Sequence, residues 1–300
     1  VLVGPTGIGK TAVAIALGAH WPLEVISADS RQIYRGLDIS TAKPTARERA
    51  KVAHHGLDLV DPGERYSAGR FARDAAVTVA DVLARGRLPV VVGGTGLYVR
   101  ALAEGLFHEP PLDLERRRRL DAWLARIEAL ELVRWAERLD PGFRGGGRQR
   151  ATRAIEIALL TGRPLTYWQA AARAGRSIDP WYVVLSAPRP VLHRRIEARA
   201  REMVQRGMVG EVAAVLAHGA RPGAPGLDGV GVRDAVAVLT GTRPAESLAE
   251  AIIISTRQYA KRQETWFRHQ LGAERVTLDA TRGPDVLAAT IAERWERDGT

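Results

Sequence analysis

Apolar residues in the first hundred positions alternate between two periodicities. Residues 23–27 (LEVIS) and 88–92 (LPVVV) are short strand-like runs, the second apolar on both faces as in a parallel sheet covered by helices. Between them, across residues 68–85, Phe71, Ala75, Val79, Val82 and Leu83 recur at helical spacing, and Gly86 supplies a stop. Strand, helix and strand in this order predict a parallel βαβ sheet.

The pattern becomes purely helical near residue 108. Residues 114–139 form one long charged, amphipathic stretch and 149–160 another, separated by the Pro-Gly and Gly-Gly-Gly segment at 141–147. Strand patterning returns at 181–186 (WYVVLS) and at 275–278, before a final helix through Trp295. Two long helices are predicted in this half. Residues 190–218 place Leu192, Ile196 and Met203 on a buried side and Arg195 and Arg199 four apart on another. Residues 247–271 turn Leu248, Ile252, Tyr259 and Trp266 inward. The expected organisation is a discontinuous α/β core, 1–107 with 179–300, interrupted by a helical insertion at 108–178. No internal repeat is visible.

Composition narrows the chemistry. The 300 residues, 46% hydrophobic, suffice for one large domain or two modest ones. Cysteine is absent, which removes disulfides, thiolate metal sites and cysteine nucleophiles. No apolar run approaches the roughly 18 to 20 residues of a membrane span. The net charge is +10, and only four of the 44 basic residues are lysines (Lys10, Lys43, Lys51 and Lys261). Such an excess suits a polyanionic partner; it equally suits arginine enrichment from a GC-rich genome, and composition leaves both readings open. The chain starts in a strand without methionine, so a few preceding residues are expected, and no charged leader with an apolar stretch is seen. The expected location is the cytoplasm.

Gly4-Pro5-Thr6-Gly7-Ile8-Gly9-Lys10-Thr11 fits G-x-x-x-x-G-K-[ST] between a strand and the apolar helix 12–17. The glycines let backbone N–H groups curl around a diphosphate at a helix N-terminus, Lys10 adds a point charge, and the Thr11 hydroxyl can ligate Mg²⁺. ATP is the usual diphosphate here, and a later strand then ends in a carboxylate that helps hold Mg²⁺. In this chain residues 89–92 run instead into Gly93-Gly94-Thr95-Gly96. The carboxylate at a strand end is Asp29, which should face the same crevice as Thr95. Three roles stay open for it: holding Mg²⁺ through water, serving as a general base, or capping the next turn.

Taken together, several segments resemble the tRNA dimethylallyltransferase (tRNA isopentenyltransferase) family, bacterial type. They are GPTGIGKT (4–11), SADSRQIYRGLDISTAKP (27–44), HHGLDLVDP (54–62), YSAGRFARDA (66–75), GGTGLYVRAL (93–102), QRATRAIEI (149–157) and TRQYAKRQETWFR (256–268). They fall in family order across nearly the whole chain. The resemblance implies an α/β fold, a P-loop nucleotide-kinase-like parallel sheet flanked by helices, with an all-helical insertion domain.

It also implies transfer of a dimethylallyl group from dimethylallyl diphosphate to N6 of the adenine at position 37, beside the anticodon, of tRNAs reading U-starting codons. The loop residues Gly4 to Thr11 would grip the prenyl diphosphate with Mg²⁺. The family's arginine in R-I-x-x-R falls on Arg199, a second cation for the leaving group, and the family's catalytic aspartate falls on Asp29, which would take or direct the N6 proton. Thr95 would help align the attack. Ser30, Arg31 and Gln32 would touch the flipped base and its neighbours. Gln149, Arg150, Ala151, Thr152 and Arg153 match the Q-R-x-x-R tRNA contact, while Arg117 and Arg233 fall at further contact positions. The insertion would close on the anticodon stem-loop. The enzyme is expected to be a monomer.

Blander readings compete at several positions. Arg116 to Arg119 is a charge run on an amphipathic helix, which is usually a solvated face. Trp266 and Phe267 could stack on bases, but helical spacing with Tyr259 favours core packing. His54 and His55 are adjacent, a poor spacing for a metal pair. The chain also departs from the family pattern. Gly7-Ile8 replaces the common Ala-Ser, the segment before Gln149 is shorter and carries Gly145-Gly146-Gly147, and Val232 stands where the family has tyrosine. A cytokinin-type adenylate dimethylallyltransferase shares the loop but acts on AMP, ADP or ATP, and the 149–153 segment argues against it. A P-loop small-molecule kinase and a non-enzymatic RNA-binding module are more distant alternatives.

Overall fold

The computed structural model describes residues 1–105, 112–172, 178–272 and 275–298. Its strands among these residues are β1 Leu2–Val3, β2 Leu23–Ala28, β3 His54–His55, β4 Leu88–Gly93, β5 Tyr182–Ser186 and β6 Arg275–Asp279. They form one sheet in the order β3-β2-β4-β1-β5-β6, and every pairing is parallel. The helices are α1 Lys10–Leu17, α2 Ala46–Lys51, α3 Ala68–Ala84, α4 Gly96–Glu104, α5 Leu114–Leu124, α6 Ala129–Leu139, α7 Arg148–Thr161, α8 Leu165–Ala172, α9 Arg189–Gln205, α10 Met208–Ala217, α11 Val232–Leu239, α12 Leu248–Gln270 and α13 Pro284–Asp298. This is the parallel sheet that the alternating periodicities predict, with the P-loop-like arrangement of flanking helices that the resemblance implies.

Register sets the position of the site. Val3 lies beside Gly93 and Val184, and Ala28 lies beside Gly93, so β1, β2 and β4 end level. The segments that follow them, beginning at Gly4, Asp29 and Gly94, therefore leave from one carboxyl edge. Strand β1 has β4 on one side and β5 on the other, and a parallel sheet opens a ligand crevice where its order reverses in this way.

Every residue of β2 is buried, and the sheet residues Leu2, Val25, Val90, Val92, Val183 and Leu185 share one apolar cluster with Val13, Ala14 and Leu17 of α1, Leu192 and Ile196 of α9, and Leu287 and Ile291 of α13. Helix α3 buries Phe71, Ala75, Val79 and Val82 as its spacing predicts, but Leu83 is 56% exposed. It sits one residue beyond Val82, about 100° around the helix and off the buried stripe.

Two predicted long helices are each divided. The 114–139 stretch breaks between α5 and α6, where the Arg148 guanidinium donates to the carbonyls of Leu124, Ala125 and Ile127, acceptors a helix end leaves unpaired. The 190–218 stretch breaks at Gly207, whose φ of 91° no helical residue adopts. Met203 is only half-buried.

The chain divides into two compact units, Val1–Leu102 with Asp179–Thr300, and Ala103–Ile178. Residue 108, the expected start of the insertion, lies outside the described residues. The second unit has its own core of Leu124, Leu132, Ala136, Ala151, Ala154 and Ile155. There the buried Asp140 carboxylate accepts from the Thr166 N–H and hydroxyl and from the Gly142 N–H. Among the described residues no helix is long and apolar enough to cross a membrane.

Candidate active site

The loop after β1 wraps into α1 through Gly9, whose φ of 102° is accessible to glycine and strained for other residues. Among the described residues the N–H groups of Gly7, Gly9, Lys10 and Thr11 meet no protein acceptor, and they lie where the helix dipole favours an anion. The Lys10 ammonium donates to the carbonyls of Gly4 and Pro5, both at 2.9 Å. Burial pushes its pKa down to about 8; Asp29 opposes the shift and Arg199 reinforces it. The Arg195 guanidinium braces the loop from behind, donating to Ile8 O and Ala280 O at 3.0 Å each.

Asp29 leaves the end of β2 half-buried, and its Oδ1 accepts the Arg31 N–H at 2.9 Å. The capping role is therefore real, and it uses only one carboxylate oxygen. On the neighbouring strand end, the Thr95 N–H donates to Ala28 O at 3.1 Å and Thr95 Oγ1 accepts the Ser30 N–H at 3.0 Å. Tyr259 is hydrogen-bonded through its side chain to Thr95. Its hydroxyl pKa is pushed up to about 12, mainly by burial and then by the Asp29 charge, against the pull of that bond.

A cavity of about 330 Å³ is lined by Thr6 and Gly7 of the loop, by Asp29, Ser30 and Arg31, by Arg199 and by Tyr259, while Lys10, Thr11 and Thr95 stand behind its lining. Burial lowers the Arg199 pKa while Asp29 raises it, and among the described residues no carboxylate pairs with this guanidinium. Arg199 is thus a half-buried cation facing the same space as the loop. The apolar part of the lining comes from Ile196, Ala200, Met203, Met208, Val232 and Ile252. Such a mixture of fixed cations and apolar lining can hold an anionic group with a hydrocarbon tail.

The structure distributes the remaining candidates unevenly. Arg31 and Arg233 line the cavity, Arg31 donating to Pro225 O at 2.9 Å and Arg233 standing 3.5 Å from Asp228. The Gln32 amide is engaged within the protein, accepting from Ser27 Oγ and donating to Ala42 O. In the helical unit Gln149 and Arg150 are exposed at the start of α7, and Thr152 is half-buried. Arg117 and Arg153 both pair with Glu156, which is 4% exposed. Ala151, expected at the RNA, is fully buried in the core of its unit, so its side chain serves packing.

A family model described as IPP transferase matches residues 32–270, and a second, described as isopentenyl transferase, matches residues 1–58. A tRNA dimethylallyltransferase of Halorhodospira halophila is 43% identical over 285 residues, 93% of this chain and 92% of that protein. Another, of Anaeromyxobacter dehalogenans, is 41% identical over 300 residues, 98% of this chain and 99% of that one. The solved tRNA isopentenylpyrophosphate transferase of Bacillus halodurans superimposes with a TM-score of 0.71 at 32% identity, covering 99% of this chain and 96% of its own. A eukaryotic dimethylallyltransferase acting on tRNA superimposes with a TM-score of 0.80 at 26% identity, covering 99% of this chain and 78% of its own. This chain belongs to the IPP transferase family.

Within that family, the 256–268 segment matches by its letters, and the structure supplies the tasks of Tyr259 and Gln263 within it. Tyr259 reads as core by its spacing, yet it is half-buried and lines the cavity, whereas Phe267 is the core residue at 2% exposure. Gln263 joins two loops of this IPP transferase fold: Oε1 accepts the Thr6 N–H and Nε2 donates to Gly94 O, both at 2.8 Å. A glutamine at helical spacing carries no sign of such a task.

The donors also suit Mg²⁺. Among the described residues no group of three His, Cys, Asp or Glu side chains is gathered as a metal cage. The half-buried Thr11 hydroxyl beside open loop amides, with the Asp29 carboxylate on the same edge, is a sparse oxygen set. Mg²⁺ characteristically completes such a set with water and substrate phosphate oxygens.

Proposed function

We propose that this chain transfers the dimethylallyl group of dimethylallyl diphosphate to N6 of the adenine at position 37 of tRNAs reading U-starting codons, giving N6-dimethylallyladenosine and diphosphate. The observation that carries this reading is the shared cavity. Thr6 and Gly7 of the diphosphate loop, the Asp29 carboxylate, the Arg199 guanidinium and several apolar side chains all face about 330 Å³ of common space.

In this reading the loop amides and Lys10 bind the diphosphate, and the apolar lining takes its five-carbon tail. As the C1–O bond breaks, its electron pair departs on the diphosphate, where the loop N–H groups, Lys10 and Arg199 meet the growing charge. The N6 lone pair forms the new C1–N6 bond. The N6 proton passes to the Asp29 oxygen not used by the Arg31 N–H. Thr95, held by Ser30 and Tyr259, orients the adenine. Thr11 would hold Mg²⁺, which when bound would supply further neutralisation of the leaving group.

Arg31 and Arg233 at the cavity, and Arg117, Gln149, Arg150, Thr152 and Arg153 in the helical unit, bind the anticodon stem-loop. Ser30 and Gln32 hold the turn from which Arg31 projects. The enzyme works as a cytoplasmic monomer.

The test is substrate choice. Purified protein is given dimethylallyl diphosphate and Mg²⁺ with either unmodified tRNA or AMP. Prenylated tRNA is expected; prenylation of AMP alone would assign the adenylate-modifying activity instead, and ATP consumption matched to a phosphorylated product would assign a kinase.

A further inference from the structure

Tyr259, Gln263 and Trp266 follow one another at spacings of four and three on α12, so they share one helix face. All three reach the segment that follows β4. Tyr259 bonds the Thr95 side chain, Gln263 bonds Gly94 O, and the Trp266 ring lies 2.2 Å from where a Cβ on Gly96 would stand. Gln263 alone also reaches the diphosphate loop, at the Thr6 N–H. It is 6% exposed, and its amide makes both bonds at 2.8 Å.

The backbone needs such a link at this place. Strands β1 and β4 are paired through Leu2 with Val92 and Val3 with Gly93, and the ladder stops there. Beyond it the chain from β1 turns into the diphosphate loop and the chain from β4 turns toward Thr95. The Gln263 amide accepts from one and donates to the other, as a peptide group would, and so continues the ladder past its end. It also satisfies the buried Gly94 carbonyl, which would otherwise be stranded.

We propose that Gln263 is a positioning residue that fixes the diphosphate loop against the Thr95 turn and so sets the approach of the acceptor nitrogen to the prenyl carbon, an inference that rests on the prenyl-transfer reading above. The two reactants sit on different loops, and a displacement on the order of 1 Å between them costs roughly 100-fold in rate. Each loop keeps its own binding groups when the link is cut. Alignment is lost before affinity.

The experiment compares Gln263→Ala, which removes both bonds, with Gln263→Glu, which keeps the size and the acceptor for Thr6 but loses the donor to Gly94. For each, single-turnover transfer from dimethylallyl diphosphate to tRNA is measured beside the affinities for tRNA and for inorganic pyrophosphate with Mg²⁺, and the melting temperature. We expect a rate loss of roughly 100-fold for the alanine variant and a comparable loss for the glutamate variant, with either affinity changed less than about threefold. The glutamate variant keeps the test open if the alanine variant does not fold. A folded variant transferring at the wild-type rate, or one whose defect lies wholly in affinity, overturns the positioning role. A wild-type protein that transfers no prenyl group to tRNA overturns the proposed function instead, and the two failures are read from different samples.

Discussion

The Ser30 backbone N–H donates to the Thr95 hydroxyl oxygen at 3.0 Å, tying the residue after Asp29 to the end of the neighbouring strand. The carboxylate and the hydroxyl are thereby held on one wall although they are 66 positions apart in the chain. Asp29 caps the Arg31 N–H, and in the proposed reaction it is also the base for the adenine. Asn keeps the capping oxygen and removes the base. Asp29→Asn is therefore expected to lower the transfer rate by about 10²- to 10⁴-fold while tRNA and pyrophosphate affinities stay near wild type. Direct binding measurements beside single-turnover rates check this, and near-normal transfer by the asparagine variant would remove Asp29 from the chemistry.

Lys10 gives a pH signature. Because burial pushes its pKa down to about 8, the ammonium is charged below that pH and neutral above it. In the free enzyme kcat/KM for the diphosphate substrate should fall as pH rises through about 8. Lys10→Arg keeps its charge, so its lower activity should show no such limb. A wild-type profile that is flat across this range contradicts the assignment.

The two arginines of the α7 motif should behave differently. Arg150 is exposed, and Arg150→Ala is expected to weaken tRNA binding and reduce its salt slope by somewhat under one unit, with an unchanged melting temperature. Arg153 shares the buried Glu156 with Arg117, so Arg153→Ala leaves that carboxylate with one fewer partner. It should also lower stability, by roughly 1–3 kcal/mol. Denaturant melts of both variants separate the cases, and equal stabilities would show that the Glu156 pairing carries little.

Glu211 of α10 clamps the turn at 38–40. Its carboxylate accepts the N–H groups of Asp38, Ile39 and Ser40 at 2.7, 2.6 and 2.9 Å and the Ser40 hydroxyl at 2.5 Å. Ser40 and Thr41 line the cavity, so the clamp shapes one side of the site. Glu211→Gln leaves one acceptor oxygen for four donors and should cost about 2–3 kcal/mol. Hydrogen exchange at the 38–40 amides should speed up in step; unchanged exchange there would contradict the clamp.

The parts legible in the sequence are those that a local rule dictates. The runs 23–27 and 88–92 became β2 and β4 to within a residue, because a strand buried on both faces leaves an unbroken apolar run. The diphosphate loop was readable because its glycines, Lys10 and Thr11 are all required within eight positions. Links between distant segments left no such mark. Gln263 contacts Gly94 across a separation of 169 residues, and its helical position looks like that of any polar residue on α12. Strand β3 is the two polar residues His54 and His55, so no apolar pattern announced it. The division between α5 and α6 depends on Arg148, which comes from the next helix but one. Tyr259 was hidden in the opposite way, since its spacing fits a core residue while its hydroxyl serves Thr95.

Prenyl transfer to tRNA is read by nucleoside mass spectrometry of unmodified tRNA reading a U-starting codon, after incubation with this protein, dimethylallyl diphosphate and Mg²⁺. N6-dimethylallyladenosine is expected at the adenine beside the anticodon, with diphosphate released in equal amount. Unmodified adenine at that position, with the protein folded and the tRNA bound, would contradict the proposed transfer.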